Sequence, residues 1–447
     1  MEVKSSITKL KESLTVQVEN KYLSLFRILF FGFIALELIQ FRKRDYFQAF
    51  LVDARVRFPY EFFPFDVEFT AQGFTSLFAI TLISAVFCSA GLFFRYSKWV
   101  FTLSFGFLFF QDKMLWNNHW YLFFLVGFLA LFMKLENSLS LDALVNPKIK
   151  NAYSPRWYFE ILKLQIFVVY FFAGIAKLNY DWLVETEPIG TFIKQRENYF
   201  LLGWLFSIDS AKYFFAYSGI IYDLCIGFLL FSSRFKKLGI VLTFIFNIIN
   251  SIIFDIGMFP FIMLACNYLF VFQHSIDEKK SHKNTKSTQQ LSKPIMQNGL
   301  FYFLIFYSSF QLIFPMRQFL YKGNPSWIGI CERFSWRMMI QNKVPVKYDF
   351  YISEKSTGKN KRIDLRTFLF PPQIMAQVVF PDMIPQTAMA IQKDAEKAGL
   401  INPEIKAEII VSLNKRKPQS LVDSTLNLSE QKADLFKPPL WVVPLKE

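Results

Sequence analysis

Four stretches of this chain carry residues that could do chemistry, three in connections between apolar runs and the fourth at the opening of the C-terminal part. The first holds Asp112, Lys113, Trp116, Asn117, Asn118 and His119, and the second Lys177, Asn179, Asp181 and Trp182. The third is Asp255-Ile256-Gly257-Met258, and the fourth Arg333-Phe334-Ser335-Trp336-Arg337-Met338-Met339. A lysine held in an apolar pocket loses solvation of its ammonium form, which frees an amine to act as a general base near neutral pH. Amides and an imidazole can orient an oxygen and stabilise negative charge developing on it. Each stretch also has a structural explanation. Trp116 and Trp182 suit interfacial anchors, Lys177 suits a cation snorkelling to the headgroups, and Met338-Met339 suits core packing. Asn247 and Asn250, one turn apart inside an apolar run, suit hydrogen bonds between helices. Asn117-Asn118-His119 resists this treatment, because two amides and an imidazole are costly to bury without partners. Lys163, at the other end of the same run, is the contrast: it lies outside the four stretches, and snorkelling suffices.

The elements that must position these residues are membrane helices. Apolar runs occupy residues near 22–40, 74–94, 98–111, 119–134, 157–177, 213–231, 237–254, 256–273 and 299–316. A crossing takes about 20 apolar residues, so the sequence predicts a polytopic α-helical membrane protein of about nine spans, some short or tilted. The composition, 53% hydrophobic with 57 phenylalanines, agrees. The net charge of +15 is divided among the connections rather than gathered in one stripe, which argues for orientation signals and against nucleic acid. Cys88, Cys225, Cys266 and Cys331 are isolated and only three histidines exist, so neither a disulfide framework nor a metal site is expected.

Lysine and arginine gather in the connections after the second, fourth, sixth and eighth runs. That pattern predicts a cytoplasmic N-terminus, a non-cytoplasmic C-terminus, and all four chemical stretches on the non-cytoplasmic side. Arg42, Lys43, Arg44, Arg55 and Arg57 break it. The expected organisation is a cytoplasmic segment 1–20, a helical domain 21–316 containing a flexible cytoplasmic loop 274–297, and a small α+β domain 317–447. In the last, KYDFYISEKSTGKNKRIDL reads as a hairpin with a Gly-containing turn, Thr387–Gly399 as a helix and AEIIVSLNK as a strand.

Taken in order, FRILFFGF, ARVRFP, DKMLWNNHWYL, LQIFVVYFFAGIAKLNYDW, FDIGMFPFIMLA, FSWRMM, SLNKRKPQSLVD and PLWVVPL are specific. The chain resembles the vitamin K-dependent γ-glutamyl carboxylase family, including bacterial members built on a horizontally transferred transmembrane domain. The resemblance implies a membrane-embedded carbon–carbon lyase that oxygenates reduced vitamin K, a naphthohydroquinone, to its epoxide with O₂. It also implies that the strong base formed on the way removes a glutamyl γ-proton, after which CO₂ adds. By the same resemblance Lys177 is the base, with Asn118 and His119 beside it. Trp116, Asn117, Asn250 and Met258 fall in the quinone region, and Ser335, Trp336, Arg337, Met338 and Met339 in the segment that meets the glutamyl substrate. Membrane lipid, a quinone and a glutamate-containing peptide are the implied partners.

The sequence departs from the family at several positions. Asn247 stands where a histidine is usual, and Val56 where vertebrate relatives have a cysteine. The family's GYSWDMM becomes RFSWRMM, flanked by Glu332 and Gln341, so that Arg337 inverts a charge. Two alternatives therefore stay open: a quinone epoxidase without carboxylase activity, and a non-enzymatic membrane binder or transporter on the same scaffold.

Overall fold

The computed structural model describes residues 2–271, 296–353 and 360–446. Most of the expected polar loop and the Gly-containing hairpin turn lie outside the described residues. The chain begins α1 (Glu2–Thr15), β1 (Gln17–Glu19), α2 (Lys21–Lys43), α3 (Tyr46–Leu51), α4 (Ala71–Ala90), α5 (Phe94–Phe109), α6 (Asn118–Ala130) and α7 (Leu141–Val145). It continues through β2 (Tyr153–Pro155), α8 (Trp157–Ala176), α9 (Tyr180–Leu183), α10 (Ile189–Lys194), α11 (Gly203–Phe206), α12 (Ala211–Phe231), α13 (Lys236–Ile253) and α14 (Phe259–Asn267). Among the described residues, six helices are long and apolar enough to cross a membrane: α2, α4, α8, α12, α13, and α15 (Asn298–Ile313) with its 3-10 continuation to Leu320. Of the other three apolar runs, α5 has 16 residues, α6 has 13, and α14 has 9 before a 3-10 turn. The N-terminal segment, read from sequence only as polar, is helical in α1, and β1 pairs antiparallel with β2 just ahead of α8.

Aromatic side chains fill the bundle. Phe31 stands edge-on to Phe101 with ring centroids 5.3 Å apart, and Trp120 stacks on Phe47 at 4.7 Å. Such pairs are stable without help from water exclusion, which lipid does not supply between helices.

The C-terminal part comprises α16 (Pro325–Ile328), β3 (Lys343–Ser353), β4 (Asn360–Arg362), α17 (Pro371–Val379), α18 (Ile384–Lys397), β5 (Glu404–Leu413) and β6 (Gln419–Ser420). Its strands form an antiparallel sheet in the order β4-β3-β5-β6. Along β5 the buried side chains are Ile405, Ala407, Ile409, Val411 and Leu413, the alternation of a sheet with one covered face.

Polar contacts pin this sheet region to one end of the bundle. Gln373 donates to the Val56 carbonyl at 2.8 Å and Gln386 to the Pro59 carbonyl at 2.9 Å. Asp382 receives Arg333 at 2.8 Å and faces Lys113 at 3.2 Å. Burial alone would raise the Asp382 carboxyl, but Arg333 and Lys113 more than offset it and hold it below its ordinary 3.8. Three of the five cations that break the charge pattern are also paired: Arg42 with Asp45, Arg55 with Asp394, and Arg57 with Asp66.

Candidate active site

The lysine comes first because a helix end places it. α8 stops at Ala176, Lys177 is its C-cap, and Asn179 then starts α9 by accepting the Trp182 N–H at 3.1 Å. Lys177 Nζ turns back along α8, donating to the Ala173 carbonyl at 3.2 Å and to Asp223 Oδ2 at 2.6 Å. The Trp182 ring centroid lies 5.2 Å from the same nitrogen. Both members of the pair are buried. This corrects the expectation of an amine freed by an apolar pocket alone, because a buried carboxylate from the middle of α12 faces it.

The second group is set by the start of α6. Asn117 is the N-cap, its side chain accepting the His119 N–H at 3.1 Å, so Asn118 and His119 occupy the first turn. Asn118 Nδ2 donates to the Arg337 carbonyl at 3.2 Å, while its Oδ1 is buried without a partner. His119 stacks on Phe259 at 5.3 Å, and its Nε2 stands 3.2 Å from Glu37 Oε1 without hydrogen-bond alignment. The other oxygen of Glu37 accepts the Met258 N–H at 2.8 Å. Gly257 makes that contact possible: it has φ +57, and a Cβ there would meet Glu37 Oε2 at 2.9 Å.

These groups share one cavity of about 750 Å³, lined mainly by apolar side chains. Of the residues singled out in the sequence, Asn117, Asn118, His119, Lys177, Asn250, Arg337, Met338 and Met339 line it. Trp116, Met258, Ser335 and Trp336 do not. Trp116 packs on Phe334 at 4.5 Å, Met258 acts through its backbone, and Ser335 and Trp336 are fully buried behind the wall.

The segment around Arg337 is held in an unusual shape. Phe334, Trp336 and Met339 have φ of +64, +58 and +54, a region costly for residues with a side chain. The Arg337 guanidinium locks it by donating to Glu332 at 2.8 Å, to Ser326 at 2.7 Å and to Gln318. The charge inversion read from the sequence is compensated: Arg337 is buried and paired with Glu332, another of the substituted positions. The segment between α5 and α6 is anchored separately by Asp112, which accepts the Phe58 and Met114 N–H groups; burial pushes its carboxyl up to about 6.

Comparison with known families agrees with this geometry. The HTTM domain matches residues 16–274, and the domain described as vitamin K-dependent gamma-carboxylase, lumenal domain, matches residues 296–447. The chain belongs to the vitamin K-dependent gamma-carboxylase family. No solved structure matches it. It is a multi-pass membrane protein of carboxylase type, and the family implies use of vitamin K hydroquinone.

In this gamma-carboxylase relative, the residues that sequence reasoning missed are both acids, Glu37 and Asp223. The signal was present, since each is a carboxylate inside an otherwise apolar run, and such a residue marks a functional site unless a partner explains it. Here the partners are the site residues themselves.

Proposed function

We propose that this protein oxygenates a reduced naphthoquinone to its epoxide and couples the reaction to carboxylation of glutamyl side chains. The observation that carries the reading is the buried Lys177–Asp223 pair, opening onto the same cavity as Asn118 and His119. The residues suit a quinol. The cavity is apolar in its body, and Asn118 Oδ1, His119 Nε2 and Glu37 Oε1 are buried polar atoms without hydrogen-bond partners. A bound hydroquinone would supply two acidic hydroxyls and the reducing equivalents for O₂.

The protein's own part is to hold and move a proton. In a site shielded from water, Asp223 at 2.6 Å is placed to accept a proton from Lys177 and leave an amine. The amine can then accept a proton from a hydroxyl placed by Asn118 and His119. The pair then carries one positive charge, balanced by the oxyanion that the proton leaves behind, and the apolar walls keep water from competing. Glu37 stands beside the imidazole at 3.2 Å and accepts the Met258 N–H of the neighbouring loop.

For the second half-reaction, Met338 and Met339 border the cavity, and Arg44 stands exposed at its lining, a cation that a glutamyl carboxylate would meet. Neutralisation of Arg337 removes the charge argument for an epoxidase that has lost carboxylation. On this reading the cavity mouth and the C-terminal sheet face the non-cytoplasmic side. The test is the purified protein in nanodiscs with reduced vitamin K, O₂, labelled CO₂ and a glutamyl peptide, with epoxide and fixed carbon measured separately. Both products are expected; epoxide alone would confine the function to oxygenation, and neither would refute it.

A further inference from the structure

Two motifs singled out in the sequence have no part in the proton transfer: Asp181, and the SLNKRKP stretch at the end of β5. The fold brings them together. β5 ends at Leu413, and Asn414 and Lys415 follow with φ of +49 and +64, a left-handed turn. Asparagine adopts that conformation more readily than most residues. The Arg416 N–H closes the turn on the Leu413 carbonyl at 2.8 Å. Arg416 then donates to Asp181 Oδ1 through Nε at 2.9 Å and Nη2 at 2.6 Å, and Asn414 Nδ2 donates to Asp181 Oδ2 at 2.9 Å. Lys415 reaches Glu187 at 2.5 Å. Asp181 is buried, so these donors stand in for its hydration.

Asn414, itself buried, has a second set of partners. Its Oδ1 accepts the Asn342 N–H at 2.7 Å, its own N–H donates to the Asn342 carbonyl at 2.9 Å, and Nδ2 also reaches the Ile340 carbonyl at 3.4 Å. Ile340 follows Met339, which borders the cavity. On the other side, Asp181 precedes Trp182, whose ring faces Lys177 and whose indole N–H holds the Ala216 carbonyl of α12 at 2.9 Å. One side chain thus joins the lysine half of the site to the methionine half. The halves must agree in position, because a glutamyl side chain placed at Met338 and Met339 has to lie within reach of the chemistry at Lys177. We infer that Asn414, held by Asp181 and Arg416, is a positioning residue that sets the register between the two halves, and with it how many carboxylations accompany each epoxidation. The inference rests on the proposed function and deepens it, since it assigns the coupling to this bridge.

The test uses the full chain in nanodiscs with reduced vitamin K, O₂, labelled CO₂ and a glutamyl peptide. Asn414→Gly removes the side chain and keeps the left-handed turn without strain. It should lower fixed carbon per epoxide about tenfold, part of the roughly 10²-fold that a misplacement of about 1 Å can cost. The loss should fall on kcat for carbon fixation rather than on KM for the peptide, with epoxide formation per folded molecule unchanged. Gln386→Ala, which loosens the sheet region at the Pro59 carbonyl instead, should leave the ratio as it is. Hydrogen exchange is independent of turnover: the amides of 181–183 and 340–342 should quicken together in Asn414→Gly and not in Gln386→Ala. If Asn414→Gly does not fold, Arg416→Ala carries the same test, since that side chain is 21% exposed and Asn414 still holds Asp181. An unchanged ratio, an equal fall in Gln386→Ala, or epoxide and fixed carbon falling together would overturn the positioning role and leave the proposed function standing. Epoxide without fixed carbon in the native protein would refute the coupling and the bridge's part in it alike. Where no product forms, the oxygenation reading fails and exchange decides the bridge: joint quickening keeps it as the link between the halves, and its absence removes it.

Discussion

At one end of the bundle, Arg27 and Lys98 are buried against backbone carbonyls. Arg27 donates to Cys88, Ser89 and Leu139 at 2.8, 2.5 and 2.5 Å, and Lys98 to Met133 at 2.7 Å. At the other end, Lys177 and His119 are buried against the carboxylates Asp223 and Glu37. Both arrangements solve the same problem, a basic side chain in a poorly solvating place. Carbonyls at helix ends are fixed dipoles that cannot take a proton, so the first arrangement only stabilises. A carboxylate can exchange a proton with its partner, so the second can do chemistry, and it is the one beside the cavity. The same residue types therefore read as structure or as function according to the acceptor opposite them.

Mutations at the two ends should separate these roles. Arg27→Ala should cost about 2–6 kcal/mol, since the Cys88 carbonyl keeps the Gly91 N–H while those of Ser89 and Leu139 lose the guanidinium, at roughly 1–3 kcal/mol each. The check is the yield and thermal unfolding of purified protein, with turnover per folded molecule unchanged. Asp223→Asn should do the reverse, leaving folding nearly intact while lowering epoxide formation roughly 10²-fold, because the proton acceptor for Lys177 is gone. Equal losses of stability and turnover in both variants would erase the distinction. Glu37→Gln should have a smaller effect, on the order of tenfold in turnover, the low end for a group that orients a functional imidazole.

The smallest effect expected is on pH. Asp382 is held below its ordinary 3.8 in the folded protein. Its contribution to the contact between sheet and bundle is therefore present above pH 3.8 and lost as pH falls through the lower folded value. Unfolding curves across the acid range should show this sensitivity in the native protein and not in Asp382→Asn.

Much of the fold was legible because it depends on local pattern. The run read as 157–177 is α8, Trp157–Ala176. The strand read from AEIIVSLNK is β5, whose period-two burial matches its sequence. The helix read as Thr387–Gly399 begins three residues earlier, at Ile384, with Pro385 in its first turn. Residues 17–19 gave no sign of pairing with 153–155, since three-residue strands carry no readable period. The site was legible in part for the same reason. Helix-end signals placed Asn117 to His119 and Lys177, but which acid meets which cation is set by packing between α2, α6, α8 and α12. Arg337 shows the limit most clearly: its charge could be read from the sequence, while its burial against Glu332 could not.

The most direct test of the account is the epoxide-forming rate of Lys177→Ala beside the native protein, each reconstituted with reduced vitamin K and O₂ and shown to be folded. Lys98→Ala, at a buried lysine whose hydrogen-bond acceptor is the Met133 carbonyl, is the matched control. Loss of the general base should lower the rate about 10²–10⁴-fold, and the control should retain its turnover per folded molecule. Near-native turnover in Lys177→Ala, or an equal loss in both variants, would contradict the claim that the Lys177–Asp223 pair performs the proton transfer.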